Sequence, residues 1–182
     1  MQLNGKVAVV TGGARGIGKA IASAFAERGA TLALLDLNQA DLDATRAEFA
    51  ARGVTVSGHA LNVAKEDDVI RALDEVVAAH GRLDVLVNNA GIIKDAVLVK
   101  AKDGVVVSKM TLAQWQAVID VNLTGVFLCA REAVRRMSTN RGGKGGSIVN
   151  VSSGAARWGS PDEYSDYAAS KGAVDSMTVG LS

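Results

Sequence analysis

Short apolar runs alternate with amphipathic segments along the first half of the chain. VAVVT at 7–11 and TLALLD at 31–36 read as strands, TVSGHALN at 55–62 as a weaker one, and LDVLVNN at 83–89 as a fourth. Between them, apolar residues recur at helical spacing. The segment Arg15 to Arg28 carries Ile17, Ile21 and Phe25, and further helices are predicted over Gln39 to Arg52 and Lys65 to His80. Gly29, Gly53 and Gly81 each follow one of these helices, where a left-handed terminal residue is needed. Continuously apolar strands are buried on both faces, which requires parallel strands covered by helices. An α/β fold with a doubly wound, open parallel sheet is expected.

Thr11, Asp36, Asn62 and Asn88 close the first four strands at intervals of 25, 26 and 26 residues. That is the rhythm of successive βα units, and ligands of such sheets bind at the carboxyl ends of the strands. The stretch Ile92 to Met110 is irregular, with two β-rich runs flanking Asp103-Gly104. Asp-Gly favours a type I′ turn, so a surface hairpin is expected. Thr111, with Gln114 three residues on, opens a helix running to about Ser138. RGGKGG at 141–146 reads as a loop, SIVNVSS at 147–153 as a fifth strand, and the segment from about Glu163 onward as a last helix.

Composition narrows the function classes. Of 182 residues, 48% are hydrophobic and 21% charged, a globular balance. The formal net charge of +1 gives no general reason to bind nucleic acid or an anionic membrane. No apolar run approaches a membrane span, and the first residues read as a strand rather than a signal peptide. Cys129, in the apolar VFLCA, has no cysteine partner, reads as a buried structural thiol, and agrees with a reducing compartment; the cytoplasm is the expected location. His59 and His80 are isolated, and no metal site is expected. The sequon Asn122-Leu123-Thr124 has no meaning without a secretory signal.

The first strand–helix turn is TGGARGIG at 11–18. Gly12, Gly16 and Gly18 permit a tight turn, close approach of backbone to a pyrophosphate, and close helix–sheet packing, with Arg15 and Ile17 beside them. The following helix offers free N–H groups to phosphates. Gly13 to Ala20 comes within one residue of an NTPase phosphate loop, but Ala20 stands where the magnesium-binding hydroxyl belongs, so Lys19 is read as a solvated helix residue. Asp36 lies 18 residues past Gly18. A carboxylate there accepts bonds from a ribose diol and repels a 2′-phosphate, which favours NAD; Arg15 argues for NADP. A cap at the strand end is the structural alternative for Asp36.

Tyr167 and Lys171 are four positions apart, so they share one face of a helix. Tyrosine titrates near pH 10, and a neighbouring ammonium stabilises its phenolate. With a hydroxyl from Ser153 or Ser152 to hold a carbonyl oxygen, this is the equipment for proton transfer to a ketone while a hydride arrives. Tyr164 has Ala168, not a lysine, at i+4 and reads as non-catalytic.

Taken together, T-G-x-x-x-G-I-G at 11–18, N-N-A-G at 88–91, V-N-L at 121–123, V-S-S at 151–153 and Y-A-A-S-K at 167–171 resemble the short-chain dehydrogenase/reductase family, in the family's order. The resemblance implies a Rossmann-type, three-layer α/β/α fold over a single domain, 1–182. It implies an NAD(P)-dependent oxidoreductase interconverting a ketone and a secondary alcohol, with Tyr167 as general acid/base and Lys171 as its tuner and a ribose ligand. Ser153 would orient the carbonyl and Asn122 would bind the water of a proton relay. Asn88, Asn89, Ala90 and Gly91 would line the cofactor's adenosine side and support the central strand, with Asn62 and Val63 nearby. The family usually has an aspartate at the Asn62 position, which points to weaker adenine binding here. The stretch V-I-D-V-N-L-T-G-V-F-L-C is similar to 3-oxoacyl-carrier-protein reductase-type members, so a 3-oxoacyl thioester is among the candidate substrates.

Family members continue through further strands, a substrate-covering loop and a proline-glycine turn; here the only proline is Pro161. A fragment of a longer enzyme is therefore expected, which puts its own turnover in question. The alternative is a non-catalytic dinucleotide-binding fragment. Trp158, near Ser153, reads as a pocket residue and Trp115 as core or interface. The helices at 111–138 and 163–182 resemble those that pair across subunits, so a homodimer or homotetramer is expected.

Overall fold

The computed structural model describes residues 2–94, 97–159 and 163–182. Pro161 falls outside these. The chain divides into two compact units, Met1–Ala90 with Phe127–Val151, and Gly91–Val126 with Ser152–Ser182.

The first unit alternates β1 (Val7–Thr11), α1 (Gly16–Ala26), β2 (Thr31–Asp36), α2 (Gln39–Ala51), β3 (Val56–Ala60), α3 (Glu66–His80) and β4 (Val85–Asn88). The strand β7 (Ser147–Asn150) completes a five-stranded sheet of order β3-β2-β1-β4-β7. Every pairing in it is parallel. All of β1 and the middle of β2 are buried, which accounts for their unbroken apolar sequences. Leu32, Leu34, Leu35, Leu42 and Phe49 are fully buried. Each contributes about 2–3 kcal/mol through removal of apolar surface from water. The order reverses direction at β1, which has β2 on one side and β4 on the other. The β1–α1 turn therefore lies at the topological switch point. Gly29, Gly53 and Gly81 all adopt positive φ, as their positions predict.

The second unit holds the hairpin β5 (Val99–Lys102) and β6 (Val105–Lys109), antiparallel and exposed along its whole length. Asp103 and Gly104 have φ of 52° and 78°, the left-handed pair that a type I′ turn requires. The helix α4 (Leu112–Ile119) starts with a capping box made by Thr111 and Gln114. The predicted single helix from Thr111 to about Ser138 is interrupted. One π-helical turn spans Asp120–Thr124 before α5 (Gly125–Met137). A short helix α6 (Ala155–Trp158), not expected, follows Gly154, and α7 (Ser165–Gly180) begins two residues later than predicted. The fifth strand ends at Asn150 rather than Ser153. Among the described residues no helix is long and apolar enough to cross a membrane.

Candidate active site

The first unit builds a tight glycine turn between β1 and α1. Thr11, 2% exposed at the end of β1, accepts hydrogen bonds through Oγ1 from the N–H groups of Asn89 and Ala90, at 3.0 Å each. Asn89 donates through Nδ2 to the carbonyls of Thr11 and Gly12, at 3.0 and 3.2 Å. The segment after β4 is thereby locked to the glycine turn. Gly18 is needed for packing: a Cβ there would stand 2.1 Å from the Gly12 carbonyl oxygen and 2.6 Å from Asn89 Nδ2. Gly12 has φ +61°, and its Cβ would come within 3.0 Å of Ala90. Gly16 differs, with φ +53° and nothing within 4 Å of a Cβ. The loop thus leaves an open cradle in front of α1. Arg15, at the N-cap, makes no side-chain capping bond, so first-turn N–H groups of α1 remain for an anion. These features fit a dinucleotide pyrophosphate.

Asp36 is half-buried at the end of β2. Its Oδ2 accepts from Ala14 N–H at 3.1 Å and its Oδ1 from Asn38 N–H at 3.2 Å. Asp36 therefore caps the strand end as well as flanking the loop, and each oxygen keeps a lone pair. Arg15 and Ile17 are exposed. Lys19 ion-pairs with Glu48 at 2.6 Å rather than standing free in solvent, so it is not poised as a phosphate lysine. Asn62 Oδ1 accepts from Ala64 N–H at 3.0 Å, and Val63 is buried. Asn88 is buried in the sheet, donating to Asn150 Oδ1 at 2.9 Å, so it supports β4.

The second unit holds Ser152, Ser153, Tyr167 and Lys171. Tyr167 and Lys171 lie on α7, with Lys171 Nζ 5.8 Å from the Tyr167 ring centroid. Lys171 is 3% exposed. Burial pushes its ammonium below the usual lysine range, and Asp175 one turn away opposes that shift. Ser152 donates to the Lys171 carbonyl at 3.4 Å, whereas Ser153 Oγ accepts from Ala155 N–H at 3.2 Å. That leaves the Ser153 hydroxyl hydrogen for another acceptor, and the geometry separates the two serines. Trp158 is largely exposed, and its ring lies where a Cβ on Gly154 would be.

Asn122 sits in the π-helical turn, fully buried. Its Oδ1 accepts from Ile92 N–H at 2.8 Å, and its Nδ2 donates to Ile92 O at 2.9 Å and Ser170 Oγ at 3.3 Å. Both ends of the amide are engaged by protein groups. Ser170 was not singled out from the sequence, and Thr11 was named there only as the residue closing the first strand. Ser170 donates to the Tyr167 carbonyl at 2.7 Å. Thr11 carries a legible signal, a hydroxyl closing a buried strand.

The family model for short chain dehydrogenase matches residues 6–182. This chain belongs to the short-chain dehydrogenase family. It is 43% identical over 178 residues to the 3-oxoacyl-acyl-carrier-protein reductase FabG of Thermotoga maritima, covering 98% of this chain and 67% of that one. It is 39% identical over 181 residues to the D-threitol dehydrogenase of Mycolicibacterium smegmatis, covering 100% and 63%. Among solved structures, an NAD+-bound xylitol dehydrogenase superposes with a TM-score of 0.87 at 33% identity, over 100% of this chain and 65% of that one. The chain thus spans about two thirds of the length of the relatives it matches. Short-chain dehydrogenase chemistry uses a nicotinamide dinucleotide and small-molecule substrates. These matches support hydride transfer over a non-catalytic dinucleotide-binding module.

Cys129 is buried, and burial pushes its thiol up to about 12. His59 bonds to Glu75 at 2.8 Å and shares the Ser57 hydroxyl with His80.

Proposed function

We propose that this chain carries the NAD-preferring catalytic machinery of a dehydrogenase/reductase acting on a ketone or secondary alcohol. The observation that carries the reading is the buried Lys171 ammonium beside Tyr167 on one face of α7. Gly12, Gly16 and Gly18 with the α1 N-terminus would hold the pyrophosphate, Asp36 the adenosine ribose, and Lys171 the second ribose. Asn62, Val63, Asn89, Ala90 and Gly91 would complete the adenosine side. When bound, the nicotinamide supplies or accepts a hydride. Tyr167 gives its phenolic proton to the carbonyl oxygen in reduction and takes it back in oxidation. Lys171 stabilises the phenolate left behind, and the Ser153 hydroxyl donates to the substrate oxygen. Asn122 and Ser170 hold the backbone around these groups.

Asp36 supports NAD because a fixed carboxylate excludes a 2′-phosphate by charge. The named relatives act on 3-oxoacyl thioesters and on polyols, and a 3-oxoacyl thioester is our first candidate. We read residues 1–182 as one functional domain of a cytoplasmic homodimer or homotetramer, its two units carrying the cofactor-binding and proton-transfer residues respectively. The test is turnover of NADH with a panel of ketones by wild type and Tyr167→Phe. Loss of the phenol should lower kcat by about 10²–10⁴-fold while NADH binding, followed by calorimetry, persists. Equal turnover in both proteins would refute the assignment of Tyr167.

A further inference from the structure

The glycine turn occupies the carboxyl edge of the sheet in the first unit. The opposite edge carries a cleft of about 390 Å³. It is bordered by residues just ahead of β4 and by the loop just ahead of β7, together with the C-terminal parts of α3 and α5. Arg82, Arg135, Arg136, Arg141 and Lys144 line it, against one lining carboxylate, Asp74.

Three of the five cations are already compensated. Arg82 is paired with Asp84. Arg135 and Arg136 share Glu132, at 2.9 and 2.7 Å, and both reach Asp74. Arg141 and Lys144 have no side-chain ion pair or hydrogen bond among the described residues. Their loop is nonetheless held in place. Gly143 and Gly145 donate to the Ser138 and Met137 carbonyls, at 3.0 and 2.9 Å. A Cβ on Gly143 would fall 2.3 Å from Met137 O, and one on Gly146 2.5 Å from Met137 Sδ. Only glycine lets this loop lie so closely on the end of α5, and the two free cations are thereby presented at the cleft. The carbonyl end of α3 also borders the cleft and opposes an anion. That end carries about half a charge, less than either free cation supplies.

We propose that this cleft binds a small polyanion bearing two phosphate groups, with Arg141 and Lys144 as its charged contacts and Arg135 as a secondary donor. A guanidinium matches phosphate oxygens in a bidentate fork, and an ammonium adds a point charge. A cleft of this volume is in the range of small-molecule sites. The site is separate from the glycine turn and does not depend on the dehydrogenase reading.

The test is a titration of the 182-residue chain with sodium pyrophosphate, followed by amide shifts in two-dimensional NMR. Three proteins are compared: wild type, Arg141→Gln/Lys144→Gln, and Lys100→Gln/Lys102→Gln, the last removing two exposed hairpin charges. The proposal expects saturable shifts at Gly142, Gly143 and Lys144 in wild type. Affinity should drop at least about tenfold in the loop variant, stay unchanged in the hairpin variant, and weaken as salt is raised. Shifts confined to residues 11–18 would place the anion in the glycine turn and overturn the proposal. So would equal losses in the two double variants, which would reveal only non-specific charge attraction.

Discussion

Gly16 and Gly18 are two residues apart in the same turn, yet alanine should do different damage at each. At Gly18 the added Cβ would stand 2.1 Å from a backbone oxygen, where ordinary contact begins near 3.4 Å. The neighbour is the Gly12 carbonyl, held by Asn89 at 3.2 Å, so relief requires backbone movement of more than about 1 Å. Overpacking of this kind costs about 2–3 kcal/mol. At Gly16 the Cβ meets nothing within 4 Å, and the penalty is only the left-handed φ of +53°, about 1–2 kcal/mol for a non-glycine residue. The methyl group would nevertheless project into the open cradle where we place the pyrophosphate. Urea unfolding and calorimetric titration with NADH separate these effects. Gly18→Ala should lose both stability and cofactor affinity. Gly16→Ala should lose only the about 1–2 kcal/mol of its backbone penalty and bind NADH at least about tenfold more weakly, a loss of about 1.4 kcal/mol. Unchanged NADH affinity in a folded Gly16→Ala protein would refute the placement of the phosphates. Equal destabilisation by the two substitutions would refute the packing argument.

Three further outcomes rest on individual contacts. Asp36→Asn removes the charge and leaves a single acceptor oxygen where Asp36 serves the Ala14 and Asn38 N–H groups with two, so the NADH-over-NADPH preference should shrink by about tenfold; an unchanged ratio of dissociation constants would remove the basis for the NAD assignment. Asp84 is 5% exposed; burial pushes its carboxyl up, but Arg82, the Val7 N–H at 2.9 Å and Lys6 more than offset this and hold it below the ordinary value. Its stabilisation is therefore present above the unfolded-state pKa, about 3.9, and lost as pH falls through the lower folded value. Asp84→Asn should cost about 2–3 kcal/mol at pH 7 and flatten the acid limb of a stability–pH profile measured by thermal unfolding. Asn122→Ala should cost about 1–2 kcal/mol, because it removes the side-chain partner of the N–H and carbonyl of half-buried Ile92; kcat should fall more than KM rises, whereas a purely structural loss would leave the kcat of the folded fraction unchanged.

The buried centre of the sheet was legible because burial on both faces leaves only apolar residues. β1, β2 and β4 read directly for that reason. β3 read weakly because it ends the described sheet, is only half-buried, and carries Gly58 opposite Leu34. β7 alternates exposed and half-buried positions, and its apolar run extended past the true end of pairing. The π-helical turn was invisible because one added residue barely alters a 3.6-residue pattern, and α6 is too short for any period to show. The site residues were legible as chemistry but not as geometry. Ser152 and Ser153 have the same side chain, and only their hydrogen-bond partners tell them apart. The Lys19–Glu48 pair likewise depends on where α2 passes the glycine turn.

The π-helical turn has a definable use in the second unit. One residue inserted into a helix rotates the downstream turns relative to the upstream ones, and such insertions recur at functional sites. Here Asn122 lies within the inserted turn and meets the backbone of Ile92 through both a donor and an acceptor, as a neighbouring strand would. Its second Nδ2 hydrogen reaches Ser170, whose hydroxyl in turn donates to the Tyr167 carbonyl. The segment after Asn-Asn-Ala-Gly is thereby tied to the first turn of the helix that bears Tyr167 and Lys171. A leucine at 122 could fill the volume but would leave the N–H and carbonyl of half-buried Ile92 without their side-chain partner, at about 1 kcal/mol each. The requirement for an amide comes from that pairing, which also ties the helix bearing Tyr167 and Lys171 to the segment after Gly91.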